Sequence, residues 1–134
     1  MKQDIPRLET YLRKVFGAND LAVRAAPTKG AAEVLLGAKP LGKIVADEED
    51  GETTYHFEFA IKEKPQPLST QEMVRLQTLL REMLGAKTLS VRGRGRLKDS
   101  AEVFVGDESI AIVSADKTSY QFQMAILDID LEAA

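Results

Sequence analysis

Two stretches decide the fold: RLETYLRKVFGANDLAVR at residues 7–24 and RLQTLLREMLGAKTLSVR at residues 75–92. They share ten identical residues in eighteen positions, where average residue usage would give about one by chance. The likeness continues through both halves, and its length changes fall between periodic segments, where loops tolerate them. It places Ala32-Glu33-Val34 on Ala101-Glu102-Val103, and Tyr55, Phe57, Ala60 and Ile61 on Tyr120, Phe122, Ala125 and Ile126. The chain is therefore a tandem duplication.

Each copy begins with an amphipathic helix. Apolar residues recur with helical spacing at Ile5, Leu8, Leu12, Val15 and Phe16, and again at Met73, Leu76, Leu80, Met83 and Leu84. Ser69 with Glu72 three residues later predicts a capping box at the start of the second helix. Asp4 is the expected N-cap of the first helix. Gly17 and Gly85 stand where a left-handed C-terminal cap is needed.

Four strands follow each helix, because the apolar period changes to two. The predicted strands are residues 21–24, 32–36, 41–47 and 53–61, then 88–92, 101–105, 109–115 and 118–127. Alternating burial and short connections favour an antiparallel meander. The sequence thus predicts an α+β fold: a tandem duplication of a helix followed by a four-stranded antiparallel meander, with two copies packed about a pseudo-twofold axis.

The two copies are joined by a short linker. We assign residues 1–61 to the first helix-plus-sheet repeat, residues 62–68 to a linker containing Pro65 and Pro67, and residues 69–134 to the second repeat. A repeat of about 67 residues has a thin core if left alone. We therefore expect one folding unit, as a monomer with pseudo-twofold symmetry or as a homodimer.

Composition narrows the function classes. The 134 residues carry 18 Lys+Arg, 21 Asp+Glu, no cysteine and one histidine, His56. Thiolate metal sites and cysteine nucleophiles are excluded, and the absence of cysteine fits a reducing cytoplasm. No apolar run approaches the ~20 residues that a membrane span needs. Since no catalytic motif is visible, we predict no catalytic residue, metal or cofactor, no membrane association, a cytoplasmic location and no enzymatic activity.

The most polarised stretch carries the predicted binding residues. Arg92, Arg94, Arg96 and Lys98 lie between the first two strands of copy two, without an acidic residue among them. Guanidinium groups suit phosphate, and the intervening glycines allow close approach of a backbone. This Arg-Gly hairpin is a candidate site for nucleic acid or another polyanion. The alternative is a loop that pairs with its acidic neighbours.

Three further features are weaker candidates for chemistry. The acidic run Asp47–Glu52 departs from the spacing of a calcium loop and is better explained as a solvated hairpin tip. Asp128 and Asp130 could share a divalent ion or form an acid/base pair, but their alternation with apolar residues is typical of a strand with a solvated face. His56 could act as a base, yet its counterpart is Gln121, so we expect a polar residue on an exposed sheet face.

One family resemblance rests on copy two. The stretches SAEVFVGDE at residues 100–108 and YQFQMAILDIDLE at residues 120–132 resemble a small alphaproteobacterial family of unknown function, domain-of-unknown-function family 3126. The resemblance extends over residues 71–132. It implies a bacterial cytoplasmic protein and brings no activity, cofactor or catalytic residue.

Two functions remain in view. The first is a non-enzymatic interaction module with an unidentified protein partner, suggested by the duplication and by broad sheet faces with edge strands suited to strand addition. The second is nucleic-acid or polyanion binding through Arg92–Lys98.

Overall fold

The computed structural model describes residues 2–132, except for the side chains of Leu97 and Lys98. A 3-10 turn, Lys2–Asp4, precedes the first helix. The elements are α1 (Ile5–Phe16), β1 (Leu21–Ala25), β2 (Ala31–Leu36), β3 (Lys39–Glu49), β4 (Glu52–Ile61), α2 (Thr70–Leu84), β5 (Leu89–Arg94), β6 (Leu97–Val105), β7 (Glu108–Ala115), β8 (Tyr120–Leu127) and α3 (Asp128–Glu132). The predicted helix-plus-four-strand unit is thus present twice.

All eight strands form one antiparallel sheet in the order β1-β2-β3-β4-β8-β7-β6-β5. Each copy is a meander, and the copies join edge to edge where β4 pairs with β8. The predicted α+β class and antiparallel sheet are confirmed.

The register of the β4–β8 pair is unchanged when the copies are exchanged. Tyr55 lies opposite Ile126, and Ile61 lies opposite Tyr120, the counterpart of Tyr55. The left-handed caps Gly17 and Gly85 end the two helices. A Cβ built on Gly85 would lie 3.4 Å from that of Ala18. These observations support the predicted pseudo-twofold axis, and the packing symmetry of the whole copies stays a prediction.

The core lies on one face of the sheet. Each long helix buries three apolar residues at helical spacing, Leu8, Leu12 and Phe16 in α1 and Leu76, Leu80 and Leu84 in α2. They join the inward-facing residues of both meanders in one cluster. At its centre Phe122 stacks on Phe59 with ring centroids 4.5 Å apart and meets Phe57 edge-on at 5.8 Å. One core therefore serves both copies.

The predicted end of the last strand at Leu127 is confirmed, but the interpretation of Asp128 and Asp130 as part of a strand with a solvated face is wrong. β8 ends at Leu127, and residues from Asp128 form the short helix α3. The Leu127 N–H donates to Asp130 Oδ2 at 2.9 Å, which is how a carboxylate in the first turn satisfies the N–H at a helix start. Leu131 is buried and α3 packs against α1 and β4. The acid–apolar alternation does not produce a strand, because this hydrogen bond and the burial of Leu131 stabilise a helix.

The predicted caps are only half realised. The Ser69 side chain accepts a hydrogen bond from Glu72 N at 3.2 Å, but the Glu72 carboxylate binds Arg75 and Tyr120 instead of the Ser69 N–H. Asp4 occupies the N-cap position of α1 without a side-chain capping bond. Its carboxylate accepts from the Tyr55 hydroxyl at 2.7 Å. Tertiary partners therefore take both carboxylates.

Candidate functional site

The outer edges of the sheet are closed by side chains from the helices. Arg13 Nε in α1 donates to Leu21 O at 2.7 Å, and the Val23 N–H of β1 donates to Glu9 Oε1 at 3.0 Å. Unpaired groups of an edge strand invite strand addition. On β1 two of them are already taken.

Copy two closes its edge in the same way. Arg81 Nε donates to Leu89 O at 2.7 Å, and the Val91 N–H donates to Gln77 Oε1 at 3.1 Å. The expectation that the edge strands suit strand addition is therefore wrong at these groups. The sequence signal for this contact is the arginine that both copies share, Arg13 and Arg81.

The uncovered face of the sheet carries a polar row that crosses all eight strands. Consecutive strand pairings place its members side by side, and each of them is exposed or half-buried. From β1 to β5 they are Arg24, Glu33, Lys43, Glu58, Gln123, Ile112, Glu102 and Arg92. Arg24 Nε donates to Glu33 Oε2 at 2.8 Å. Seven of these eight residues are polar, as expected of a face in contact with water.

The two sides of this row differ in character. One side carries Ala31, Val45, His56 and Ala125, and the other carries their counterparts Ser100, Ser114, Gln121 and Ala60. Leu127 continues the first side along β8, while its counterpart is Lys62. We name Val45, Ala125 and Leu127 the apolar patch; the half-buried His56 lies between Val45 and Ala125, on the uncovered face as predicted. Because the counterparts of Val45 and Leu127 are the polar residues Ser114 and Lys62, the architecture does not require an apolar side chain at either position.

The apolar patch is open to solvent. Val45 is 38% exposed and Leu127 is 47% exposed. They are two of four exposed large hydrophobic residues in the described chain, the others being Ile129 in α3 and Val74 in α2. Leu127 neighbours Ala125 along β8, while His56 of β4 lies between Ala125 and Val45. Single exposed hydrophobic residues are ordinary, whereas several grouped on one face are typical of binding surfaces.

A cleft opens beside the patch. β7 pairs with β8 only through residues 112–115 within the described chain, and where the strands separate they leave a cavity of about 650 Å³. Its lining includes His56, Glu58, Ile110, Ile112, Gln123 and Ala125. A matching cavity of about 610 Å³ lies between β3 and β4. There Gly42 allows close approach, since a Cβ would lie 2.4 Å from Glu58 O; its counterpart at the larger cleft is Ala111.

The predicted solvated hairpin tip is confirmed. Asp50 and Gly51 form the β3–β4 turn with φ of 54° and 79°, and the acidic side chains from Asp47 to Glu52 are all exposed. Within residues 2–132 no group of three or more histidine or acidic side chains is placed to hold a metal ion. None of the described helices is long and apolar enough to cross a membrane.

The Arg-Gly stretch is mostly strand, not loop. Arg92 and Arg94 belong to β5, and only residues 95 and 96 form the turn, with Gly95 at φ 61°. The predicted loop was too long because pairing with β6 continues past a bulge after Gly93. Backbone hydrogen bonding to β6 thus keeps Arg92, Gly93 and Arg94 in a strand although their side chains show no apolar alternation.

The four basic residues have different surroundings. The Arg92 guanidinium lies 4.1 Å above the Phe104 ring and donates to Gly106 O at 3.4 Å. Arg94 donates to Ser100 Oγ at 3.2 Å, and Arg96 is exposed in the turn. Lys98 lies in β6, and its side chain is outside the described residues. Arg92 and Arg94 therefore already have partners within the protein.

A polar network that the sequence did not reveal ties α2 to β8. The Tyr120 hydroxyl donates to Glu72 Oε2 and accepts from the Gln66 N–H at 2.8 Å. Arg75 holds both oxygens of the same carboxylate, at 2.7 and 2.8 Å. The bond from Arg75 is the main reason why the pKa of Glu72 lies below its ordinary value, and burial raises the pKa of Tyr120.

Copy one repeats this network in a more exposed form. Tyr55 donates to Asp4, and Arg7 lies 3.4 Å from the same carboxylate. Burial, followed by the bond to Asp4, raises the pKa of Tyr55. Because both copies carry the arrangement between a helix start and a central strand, it holds the fold together. The sequence signal was the identity of Tyr55 with Tyr120 and of Arg7 with Arg75.

Comparison with known proteins returns a family and no function. The family model described as "Protein of unknown function (DUF3126)" matches residues 4–65 and again residues 72–130. The two matches span most of the chain and divide it as the repeat does. No curated protein and no solved structure matches.

Proposed function

The chain belongs to the family of unknown function DUF3126, and we propose that it is a non-enzymatic, cytoplasmic protein-interaction module that binds its partner with the uncovered face of the sheet. The observation that carries this proposal is the difference between the two sides of the polar row. Val45 and Leu127 are exposed apolar residues where the other copy has Ser114 and Lys62. The fold therefore does not require an apolar side chain at position 45 or 127.

The closed edges support the face over the edges as the binding surface. Glu9 and Arg13 on one side, and Gln77 and Arg81 on the other, occupy backbone groups that a partner strand would use. A partner on the face needs no such group. It would bury Val45, Ala125 and Leu127 and would find a 650 Å³ cleft beside them, and buried apolar anchors in pockets dominate binding energy at protein interfaces.

Site-specific photo-crosslinking tests this function. A photoreactive residue at Ala125, which is exposed on the uncovered face, is compared in cells with one at Glu82, which is exposed on α2. We expect a discrete crosslinked protein product from Ala125 that excess unlabelled protein competes away, and none from Glu82. Absence of a product at Ala125, or equal products at both positions, would refute the proposal.

Polyanion binding is the second candidate. Arg92 and Arg94 lie on β5 at the end of the polar row, with a turn arginine beside them. Their bonds to Phe104, Gly106 and Ser100 would have to break or bend for phosphate to bind. Glu102 lies opposite Arg92 and repels an anion. The face therefore ranks above the hairpin.

A further inference from the structure

Charge around the apolar patch identifies the chemistry of its partner. The patch is built on β3, β4 and β8, and the β3–β4 hairpin borders it. All five acidic side chains from Asp47 to Glu52 are exposed on this hairpin, while the lysines nearest to the patch along these two strands are Lys43 and Lys62. The hairpin is the acidic border of the patch.

Strand register places this charge at the border of the patch. Thr54 lies between Asp47 on β3 and Leu127 on β8, in one row across the sheet. The acidic residues of α3 are not part of this border, because α3 packs against α1 and Asp130 lines a cavity with Tyr11 and Lys14. The border is thus supplied by the hairpin. The cation nearest along β3 is Lys43, two residues from Val45, and it lies opposite Glu58.

Building on the proposed function, we infer that the apolar patch binds a cationic amphipathic segment of a partner protein, with apolar side chains on Val45, Ala125 and Leu127 and lysine or arginine side chains toward the acidic border. Complementary charge steers association and rejects partners of like charge. Nucleic acids and anionic membrane surfaces are rejected by the same border. The cleft beside Ala125, with Ile110 and Ile112 in its lining, accepts one large apolar side chain of the segment.

Fluorescence anisotropy with labelled peptides of about 18 residues, a length that supports helix, tests this inference. The first peptide contains lysine and leucine with all leucines on one helical face. The second has the same composition in scrambled order, and the third replaces lysine with glutamate. We expect the scrambled peptide to bind roughly tenfold more weakly than the first, and the glutamate peptide not to bind. Raising salt from about 50 to about 500 mM should weaken the first peptide roughly fivefold or more.

Matched variants locate the binding surface. Val45→Ser with Leu127→Ser should weaken the amphipathic peptide by roughly tenfold or more. Position 45 tolerates this change, because the counterpart is Ser114, and position 127 does not need an apolar residue, because the counterpart is Lys62. Val74→Ser removes the same atoms from an exposed valine on α2 and should leave affinity within about twofold. Circular dichroism and thermal unfolding confirm that the variants are folded.

The outcomes separate this inference from the proposed function. Equal binding of the ordered and scrambled peptides, or undiminished binding by the double variant, overturns the cationic amphipathic partner. If the Ala125 crosslink is nevertheless obtained in cells, the interaction function stands and only the partner chemistry is wrong. If neither peptide binding nor the crosslink is observed, both are refuted.

Discussion

Replacing Tyr120 with phenylalanine tests whether the network of Tyr120, Glu72 and Arg75 holds α2 to the sheet. The substitution keeps the buried ring and removes only the hydroxyl. That hydroxyl donates to the Glu72 carboxylate, whose side chain is 8% exposed, and accepts from the Gln66 N–H. Water cannot easily replace it. A hydrogen bond to a charged group contributes about 1.5–3 kcal/mol, so we expect a loss of about 2–3 kcal/mol.

The other copy provides the control. Tyr55→Phe removes the corresponding hydroxyl from Asp4, but the Asp4 side chain is 21% exposed, so water can solvate the carboxylate. We expect a loss of about 1 kcal/mol, as for an ordinary hydrogen bond. Urea unfolding at constant m-value measures both losses. For a domain of this size, Tyr120→Phe should lower Tm by about 5–10 °C and Tyr55→Phe by roughly half as much or less.

The dependence on pH identifies the charged partner. Because the pKa of Glu72 is lowered in the fold, its contribution to stability is complete above the unfolded pKa of 4.5 and is lost as pH falls through the lower folded pKa. The Tyr120 bond is one cause of that lowering. The difference between wild type and Tyr120→Phe should therefore be largest above pH 4.5 and shrink as the pH falls below that value. A difference independent of pH, or equal losses for the two tyrosines, refutes the reasoning.

Three further predictions concern the edge, the matching cleft and the hairpin. Arg81→Ala frees the Leu89 carbonyl on β5 and should cost about 1 kcal/mol while increasing self-association in sedimentation velocity; an unchanged sedimentation profile contradicts a protective role. Gly42→Ala brings a Cβ within 2.4 Å of Glu58 O and should lower the free energy of unfolding in urea by about 1–3 kcal/mol. Gly93→Ala is the control, because the nearest atoms to its Cβ lie at 3.7 Å, and it should lower that free energy less. Equal losses for the two variants argue against a steric cause. Single-stranded DNA should not bind at about 50 mM salt; salt-sensitive binding that disappears when the three hairpin arginines become alanine would establish the alternative function.

The duplication made most of the fold predictable. Ten identities between residues 7–24 and 75–92 transfer every argument from one copy to the other, and period-two burial then predicts the meander. The sequence does not predict that β4 and β8 join the copies. Both strands are apolar on one face, as other strands of the sheet are, and no residue in them indicates whether they lie at an edge or in the middle. The closed edges were equally hidden. In the sequence, Glu9 and Arg13 are ordinary residues on the polar side of a helix. Only the fold brings them to the backbone of Leu21 and Val23 on β1.

Local sequence patterns give a wrong prediction where a residue distant in sequence binds the same side chain or buries it. Asp4 and Glu72 have the right spacing to cap a helix, but Tyr55 and Tyr120 take their carboxylates. The alternation at residues 127–131 suits a strand, but a first-turn carboxylate and a buried Leu131 decide for helix. Propensity contributes tenths of a kcal/mol per residue, whereas burial of one leucine contributes about 1.5–3 kcal/mol. Such sites therefore cannot be assigned without the fold.

A duplicated chain contains its own comparison between architecture and function. Residues that serve the fold are under the same physical demand in both copies, as Arg13 and Arg81 are at the two edges and Tyr55 and Tyr120 are at the two helix starts. The uncovered face obeys no such demand, and there the copies diverge, from Val45 and Leu127 to Ser114 and Lys62. Exposed apolar residues favour unwanted association, so an exposed apolar residue whose counterpart in the other copy is polar needs a cause outside the fold. A partner that covers them supplies that cause.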